Sequence, residues 1–374
     1  MKISKADALL WFRFFAELDE DEPLGPKQME IALSTLSQIE RAQSARLEAL
    51  KAQIPGLKSL HGRTLYVGED AGFPRGCRGC LLGTGLTAVR RTHLCNANCP
   101  FCYDFGVLQE QMPVGDGYWE IGGCKYLPED LELLLDEYPA PSGVAYVYLE
   151  PFMEIDLYPQ VIRIFHEHGV YQHMYTNGTL CTEENLRALG EAGLNELRFN
   201  LGASGCADKV IENMALASRF IPSVGIETPM TPEFDRAFHQ KKDRILSSGI
   251  GFMNLAELHL NENNLPNYLG QNLYMTRFGY LSPTFSREGT LRLMAEADRE
   301  HWHITVHDCS NMTKFARDLH QKVKEGGWFG ASAWHMEFDR IPFAAFLPIL
   351  EDDSFAFLEE EPLPVGFRPG DIVI

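Results

Sequence analysis

The chain has 374 residues, 45% hydrophobic and 23% charged, which supplies one large core with additions at its edges and excludes a disordered chain. Its 33 basic and 52 acidic side chains leave a formal charge of -19, a field that opposes any broad nucleic-acid surface and leaves small molecules, peptides or a protein partner as the expected targets. No apolar run approaches the roughly 18 residues that cross a bilayer, so no membrane association is expected.

The opening stretch MKISKADALLWFRFFAELDEDEP is apolar in part, but acidic residues close it and no small-residue cleavage site appears. It reads as an amphipathic helix, not a signal peptide, and a cytoplasmic location follows as the expectation. Residues 5–17 and 26–53 have helical spacing and form an expected N-terminal helical cap. From about residue 85, strand-like runs alternate with helical ones: residues 86–94, 143–150, 170–177, 195–201, 222–228, 251–260 and 301–307. Between them, residues 127–138, 157–169, 182–193 and 232–246 show helical apolar spacing with Thr or Pro at their starts, and Gly169, Gly193 and Gly249 stand where helices should stop. Alternation of this kind implies parallel strands with crossover helices.

Within the strand runs, polar and apolar residues alternate. Arg198 and Asn200 oppose Leu197 and Phe199; Glu257 and His259 oppose Leu258 and Leu260; His301, His303, Thr305 and His307 oppose Trp302, Ile304 and Val306. A filled parallel sheet would be apolar on both faces. One face here packs on helices and the other lines something polar, as in a partly open α/β barrel with a wet lumen.

Nine cysteines is an odd number, and several are clustered, which suits metal ligation in a reducing compartment better than disulfides. His93-Leu94-Cys95-Asn96-Ala97-Asn98-Cys99-Pro100-Phe101-Cys102-Tyr103 follows the first barrel strand, at the strand end where α/β folds place active sites. Three thiolates on a short loop can bind three irons of a 4Fe-4S cluster and leave the fourth iron open. The alternatives are three incidental cysteines or a zinc knuckle completed by His93.

At this spacing, with an aromatic residue before the last cysteine, the loop resembles that of the radical SAM superfamily. The resemblance implies a partial (β/α)6-type radical SAM barrel and a cluster held by Cys95, Cys99 and Cys102. It also implies S-adenosylmethionine bound at the open iron, with Phe101 near its adenine, and release of a 5'-deoxyadenosyl radical that abstracts hydrogen. Glu150-Pro151 and Thr176-Asn177-Gly178 resemble the strand-end motifs of the activating-enzyme branch related to pyruvate formate-lyase activating enzymes. The departure is Tyr148-Leu149, where that branch usually has two glycines. Glu150, Thr176, Asn177, Gly178, Arg198, Asn200 and Glu227 are the cofactor-binding residues so implied; for Arg198, Asn200 and Glu227, ordinary polar strand ends are the alternative.

Outside this core, Cys77-Arg78-Gly79-Cys80 can ligate zinc, support an auxiliary cluster or act as a dithiol, with Cys124 a candidate third ligand. Cys181 and Cys206 read as buried thiols. His301, His303 and His307, with Cys309, would place three imidazoles and a thiol on one strand face; substrate binding, a metal or a merely hydrogen-bonded polar wall all answer that pattern. His303, His307 and Glu257 are the catalytic candidates. The expected divisions are 1–84, a helical cap with the Cys-x-x-Cys segment; 85–310, the barrel; and 311–374, a C-terminal extension in which residues 312–323 are helical. The function so expected is a radical SAM oxidoreductase or transferase acting on a small molecule or peptide and served by an electron donor such as flavodoxin or ferredoxin. A glycyl-radical enzyme activase and a non-catalytic iron-sulfur or zinc protein are the alternatives.

Overall fold

The computed structural model describes residues 41–313, apart from 61, 63, 83–85, 103–114, 116, 122–123, 139, 261–263, 269–270, 276–280 and 312. The expected helices at 5–17 and 312–323, the first part of the one at 26–53, and the extension beyond 313 lie outside the described residues. Residues 41–51 are helical, as the sequence predicts. Among the described residues no helix is long and apolar enough to cross a membrane.

In chain order the strands are β1 (Lys58–Leu60), β2 (Thr64–Val67), β3 (Leu86–Arg90), β4 (Trp119–Ile121), β5 (Cys124–Tyr126), β6 (Gly143–Tyr146), β7 (Tyr171–Thr176), β8 (Glu196–Phe199), β9 (Ser223–Pro229), β10 (Phe252–Ala256), β11 (Leu273–Met275), β12 (Leu281–Pro283) and β13 (Thr305–Cys309). Eleven of them form one sheet, ordered β1-β2-β13-β10-β9-β8-β7-β6-β3-β4-β5, while β11 and β12 pair separately. The seven central strands, β3 to β13 by way of β6–β10, are mutually parallel and neighbour one another in chain order. Each of the seven strand-like runs therefore yields one strand, one more than a six-unit barrel requires.

The four crossover helices legible in sequence form at Pro128–Glu137, Tyr158–Glu167, Glu183–Ala192 and Pro232–Leu246. Thr182 and Thr231 cap the last two by accepting from the backbone N–H groups of Asn185 and Phe234. Gly169, Gly193 and Gly249 take φ of 70°, 100° and 83°, the left-handed stop that other residues adopt at a cost. Helices Asp208–Ala217 and Thr284–Arg299 were not among the predicted ones, although Val210, Ile211, Met214 and Ala217 have helical spacing and are buried.

One face of the sheet packs on these helices. Val144, Tyr146, Met174, Leu197, Phe199, Ile226, Met253 and Val306 lie in one buried cluster with Ile162, Leu186, Met214, Phe238 and Met294, each large side chain contributing about 1.5–3 kcal/mol. The other face carries His173, Glu196, Arg198, Glu227, Asn254 and His307, and the helix Arg75–Leu82 lies against it. Cys77 of that helix meets Asn254 of β10, Nδ2 to Sγ 3.9 Å, while a Cβ on Gly79 would lie 3.5 Å from Leu86 of β3. β3 and β10 are five places apart in the sheet, about 24 Å if it were flat. Two residues of one helix cannot bridge that span, so the sheet is curled around the helix.

The helix seals the lower half of the lumen, contrary to the expectation of a wet interior throughout. Tyr66, Phe73, Cys77 and Leu81 form a buried cluster there, and the Phe73 ring lies 4.6 Å from that of His307. A Cβ on Gly76 would come within 2.6 Å of the Arg198 guanidinium, so only glycine permits the contact. Arg198, 2% exposed, donates from Nε to Glu196 (2.6 Å) and from Nη1 to Glu227 (2.5 Å). Higher up, towards the C-terminal strand ends, Tyr175, Asn200, Glu227, Ala256 and Cys309 are half-buried, as is Cys80 on the helix. The open part of the lumen is this upper chamber, floored by the Cys-x-x-Cys helix.

The histidine strand is shorter than expected. The chain turns after helix Thr284–Arg299 through His301, at φ 53°, so that Trp302 can pack on Phe238, 5.6 Å between rings. β13 therefore begins only at Thr305, and His301 and His303 are exposed at its N-terminal end, away from the cysteine loop. His307 alone of the three faces the lumen. Burial, aided by the Arg198 charge, lowers its pKa from 6.5 to about 3. The folded chain then binds fewer protons than the unfolded one below pH 6.5, so stability falls as pH drops from there towards 3. At pH 5 this amounts to roughly 2 kcal/mol. His307→Phe, which keeps a ring against Phe73, should shrink the difference in urea-unfolding stability between pH 7 and pH 5 by about that amount; an unchanged difference would contradict the burial assigned to His307.

Candidate cluster and cofactor site

The cysteine loop leaves the C-terminal end of β3. Its three thiols are partly buried, and a turn closes between the Cys102 N–H and the Cys99 carbonyl, 3.0 Å. Burial pushes the Cys99 thiol up to about 12, and Cys102, Cys95 and Glu150 add to the rise by repelling a thiolate there; burial raises Cys95 as well. Thiols so placed ionise when a positive centre joins them. Among the described residues no group of three or more His, Cys, Asp or Glu side chains is placed to hold a single metal ion. A cluster asks for something else, one thiolate at each of three separate irons. The donor set fits that group.

Two neighbouring segments hold the loop. Asn96 bonds the Thr-Asn-Gly turn twice, accepting from Asn177 Nδ2 and donating to Thr179 Oγ1, both at 2.8 Å. Asn264 donates to the Phe101 carbonyl (3.2 Å) and Asn267 to that of Pro100 (2.8 Å). A Cβ on Gly202 would lie 3.4 Å from the Phe101 ring, which places that ring, 8% exposed, beside the turn after β8. Neither Asn96 nor Asn264 nor Asn267 was singled out in the sequence; the run NENNLPN was a signal only for hydrogen-bonding capacity.

Glu150 lies beneath the loop, and its backbone N–H donates to the Leu94 carbonyl, 3.1 Å. Its Oε1 accepts from Thr176 Oγ1 (2.7 Å) and Phe152 N–H (3.1 Å), its Oε2 from Asn177 N–H (2.6 Å). Burial nevertheless raises its pKa to about 7. A carboxylate offers about four acceptor positions, so one remains at Oε2 for an amino group. The two residues before it, Tyr148 and Leu149, take φ of 72° and 52°. The backbone keeps a glycine-like course although both carry side chains, a strain of about 1–3 kcal/mol each.

The other predicted residues divide by position. Gly178, at φ 76°, closes the Thr-Asn-Gly turn, and its N–H donates to Thr176 Oγ1. Asn200 accepts from Thr228 Oγ1 (2.8 Å) and caps the short turn that follows β8. Arg198 faces the lumen as expected but is committed to Glu196 and Glu227. Glu257 ends β10 outside the chamber: one oxygen takes the Tyr274 hydroxyl, the other the Asn311 N–H (2.7 Å), and Arg287 stands between it and Asp308. That places Glu257 in a buried brace between β10, β13 and helix Thr284–Arg299. Cys77 and Cys80 are not brought to Cys124, which is exposed on β5 at the sheet edge. Among the described residues no third metal ligand joins the pair. Cys181 and Cys206 are buried thiols, as expected.

Residues 89–215 match the model of the Radical SAM superfamily. The chain is 29% identical over 204 residues, 51% of its length, to a protein of Methanocaldococcus jannaschii whose name assigns it to the glycyl-radical enzyme activating enzymes; the match spans about half, 52%, of that relative. Among solved structures the chain is similar to Streptococcus suis SuiB bound to S-adenosylmethionine, with 12% identity and a TM-score of 0.42 over 60% of this chain and 49% of that one. It is also similar to SuiB bound to its precursor peptide SuiA, with 12% identity and a TM-score of 0.43 over 62% and 50%.

Gly178 offers a direct check on how the site is braced. A Cβ there would lie 2.6 Å from Phe199 and 2.7 Å from Val210, both buried, on a backbone that disfavours L side chains. Gly178→Ala should lower urea-unfolding stability by about 2 kcal/mol or more. Wild-type stability would contradict the placement of the turn.

Proposed function

We propose that this chain, whose residues 89–215 form a domain of the radical SAM superfamily, binds a 4Fe-4S cluster through Cys95, Cys99 and Cys102, cleaves S-adenosylmethionine reductively, and abstracts hydrogen from a small molecule or peptide in the upper chamber. The observation that carries this reading is the bonding of the cysteine loop to Asn177 and Thr179, beside a buried carboxylate, at the open end of a curled sheet. Bound together, the cluster and S-adenosylmethionine would supply a 5'-deoxyadenosyl radical.

The chain's own residues do the rest. The three thiolates would hold three irons and leave one for the cofactor. Glu150, fixed by Thr176 and Asn177, offers its remaining acceptor position to the cofactor's amino group. Phe101 and Asn200 border the space above the lumen, where adenine and ribose would lie. Arg198 holds Glu227 at the chamber wall, and the helix Arg75–Leu82 closes the chamber from below and limits the entry of water there. An electron donor such as flavodoxin or ferredoxin completes the system.

A second reading, activation of a glycyl-radical enzyme, is favoured by the name of the Methanocaldococcus relative, which the chain matches over about half of that protein. A non-catalytic iron-sulfur or zinc protein would share the cysteines but not the chemistry. Anaerobic chain reconstituted with iron and sulfide, given dithionite and S-adenosylmethionine, should release 5'-deoxyadenosine, and Cys99→Ala should reduce the yield at least 100-fold. No 5'-deoxyadenosine from cluster-loaded chain would overturn the proposal.

A further inference from the structure

The helix Arg75–Leu82 carries a chemistry that the cofactor reading does not use. Cys77 and Cys80 are both thiols, and Cys124, once a candidate to share a metal with them, stands on β5 at the sheet edge. Residues three and four apart share a helix face, so Cys80 lies on the face of Gly76 and Cys77, which meet Arg198 and Asn254 of the lumen wall. It is also near enough to Cys77 and to Tyr175, at the upper end of β7, for a thiolate there to repel charge on either.

The two thiols differ in access. Cys77 is buried with Tyr66, Phe73 and Leu81, whereas Cys80 is half-buried at the floor of the upper chamber. Burial raises the Cys77 thiol well above its usual range, so it keeps its proton at rest, while the Arg198 charge opposes the rise. Arg198 and Asn254 Nδ2, 3.9 Å from Cys77 Sγ, are then in place to stabilise a thiolate as it forms. An accessible thiol backed by a shielded one, a single turn away, lets the first attack a disulfide and the second resolve the product.

Their spacing allows the bond that results. One turn of helix sets the two Cα atoms about 5 Å apart, within the roughly 4.4–6.8 Å that a disulfide spans. The Cβ atoms, about 5–6 Å apart in a regular helix, must close to about 3.5–4.5 Å. The helix ends two residues beyond Cys80, where its last turn can tighten. A bond made against that resistance is easily reduced, so the exchange runs in both directions.

We infer that Cys80 and Cys77 form a thiol-disulfide exchange pair, Cys80 attacking and Cys77 resolving, whose substrate is a low-molecular-weight disulfide entering by the upper chamber. The Cys80 thiolate attacks one sulfur of RSSR, the S–S bond breaks, and the departing RS- takes up the proton that Cys80 lost. Cys77 then loses its proton and attacks the Cys80 sulfur of the mixed disulfide, and the second RS- leaves with that proton. Two thiols are oxidised, one RSSR is reduced to two RSH, and a dithiol reductant reverses the sequence.

Full-length chain, reconstituted with iron and sulfide under anaerobic conditions, is incubated with glutathione disulfide, trapped with N-ethylmaleimide and digested with trypsin. Cleavage after Arg78 places the two cysteines on separate peptides, so mass spectrometry reads their bond as a linked pair. The linked pair should exceed glutathione retained at Cys80 at least 10-fold and disappear with dithiothreitol, while the exposed Cys124 should retain glutathione. In Cys77→Ser, glutathione should stay on Cys80; in Cys80→Ser, Cys77 should react at least 10-fold more slowly than Cys80 does in Cys77→Ser. Absence of the linked pair overturns the inference, as does a bond from Cys80 to another cysteine, or equal rates at Cys77 and Cys80 in the single variants. Should a variant not fold, the wild-type linkage decides by itself. Neither cluster loading nor cofactor cleavage enters the readout, so this result and the proposed chemistry stand or fall separately.

Discussion

Arg198 sits inside the curled sheet with a carboxylate on either side and the backbone of Gly76 pressed upon its guanidinium. A buried charge survives only when paired and hydrogen-bonded, and removing one member of such a group costs about 3–5 kcal/mol because the others are left uncompensated. Much of the interior depends on this contact. Glu196 precedes it on β8 and Glu227 comes from β9, to which it ties β8, the helix Arg75–Leu82 can approach only because residue 76 has no side chain, and the sheet curls because that helix touches strands from both of its halves. The division of the lumen into a dry base and an open upper chamber follows from the same packing.

That division gives each end of the chamber a separate task. At one end the cysteine loop, Glu150 and the Thr-Asn-Gly turn are bonded into one unit, so the positions of the thiols and of the carboxylate are set together. At the other, Glu227 is held from below by Arg198 and is half-exposed to the upper chamber. The left-handed Tyr148 and Leu149 show the same economy of backbone: the chain keeps the course that brings Glu150 under the loop although two side chains oppose it.

Local rules made much of this legible. The cap at Thr182, Pro232 in the first turn of its helix, the three helix-stopping glycines and the alternation along β8 depend on near neighbours in sequence, and they appear where those rules put them. The cysteine spacing and the Thr-Asn-Gly turn were readable for the same reason. What failed depends on distant partners. Alternation from His301 to His307 looks like a strand, but Trp302 is drawn to Phe238, and the turn this requires removes His301 and His303 from the lumen. Glu257 has the pattern of a lumen residue, yet Tyr274, Asn311 and Arg287 draw it into a brace. For the Cys-x-x-Cys segment the sequence left zinc, an auxiliary cluster and a dithiol open, and only the curl of the sheet shows that its helix lies inside the lumen.

The proposed chemistry requires that Cys95, Cys99 and Cys102 hold a cluster whose fourth iron is open to a ligand. Electron paramagnetic resonance of the dithionite-reduced, reconstituted chain, recorded with and without S-adenosylmethionine, tests it most directly. The expected result is a reduced-cluster signal whose g values shift when S-adenosylmethionine is added. A signal of the same shape in both samples would contradict it, because a fully ligated cluster has no iron to offer.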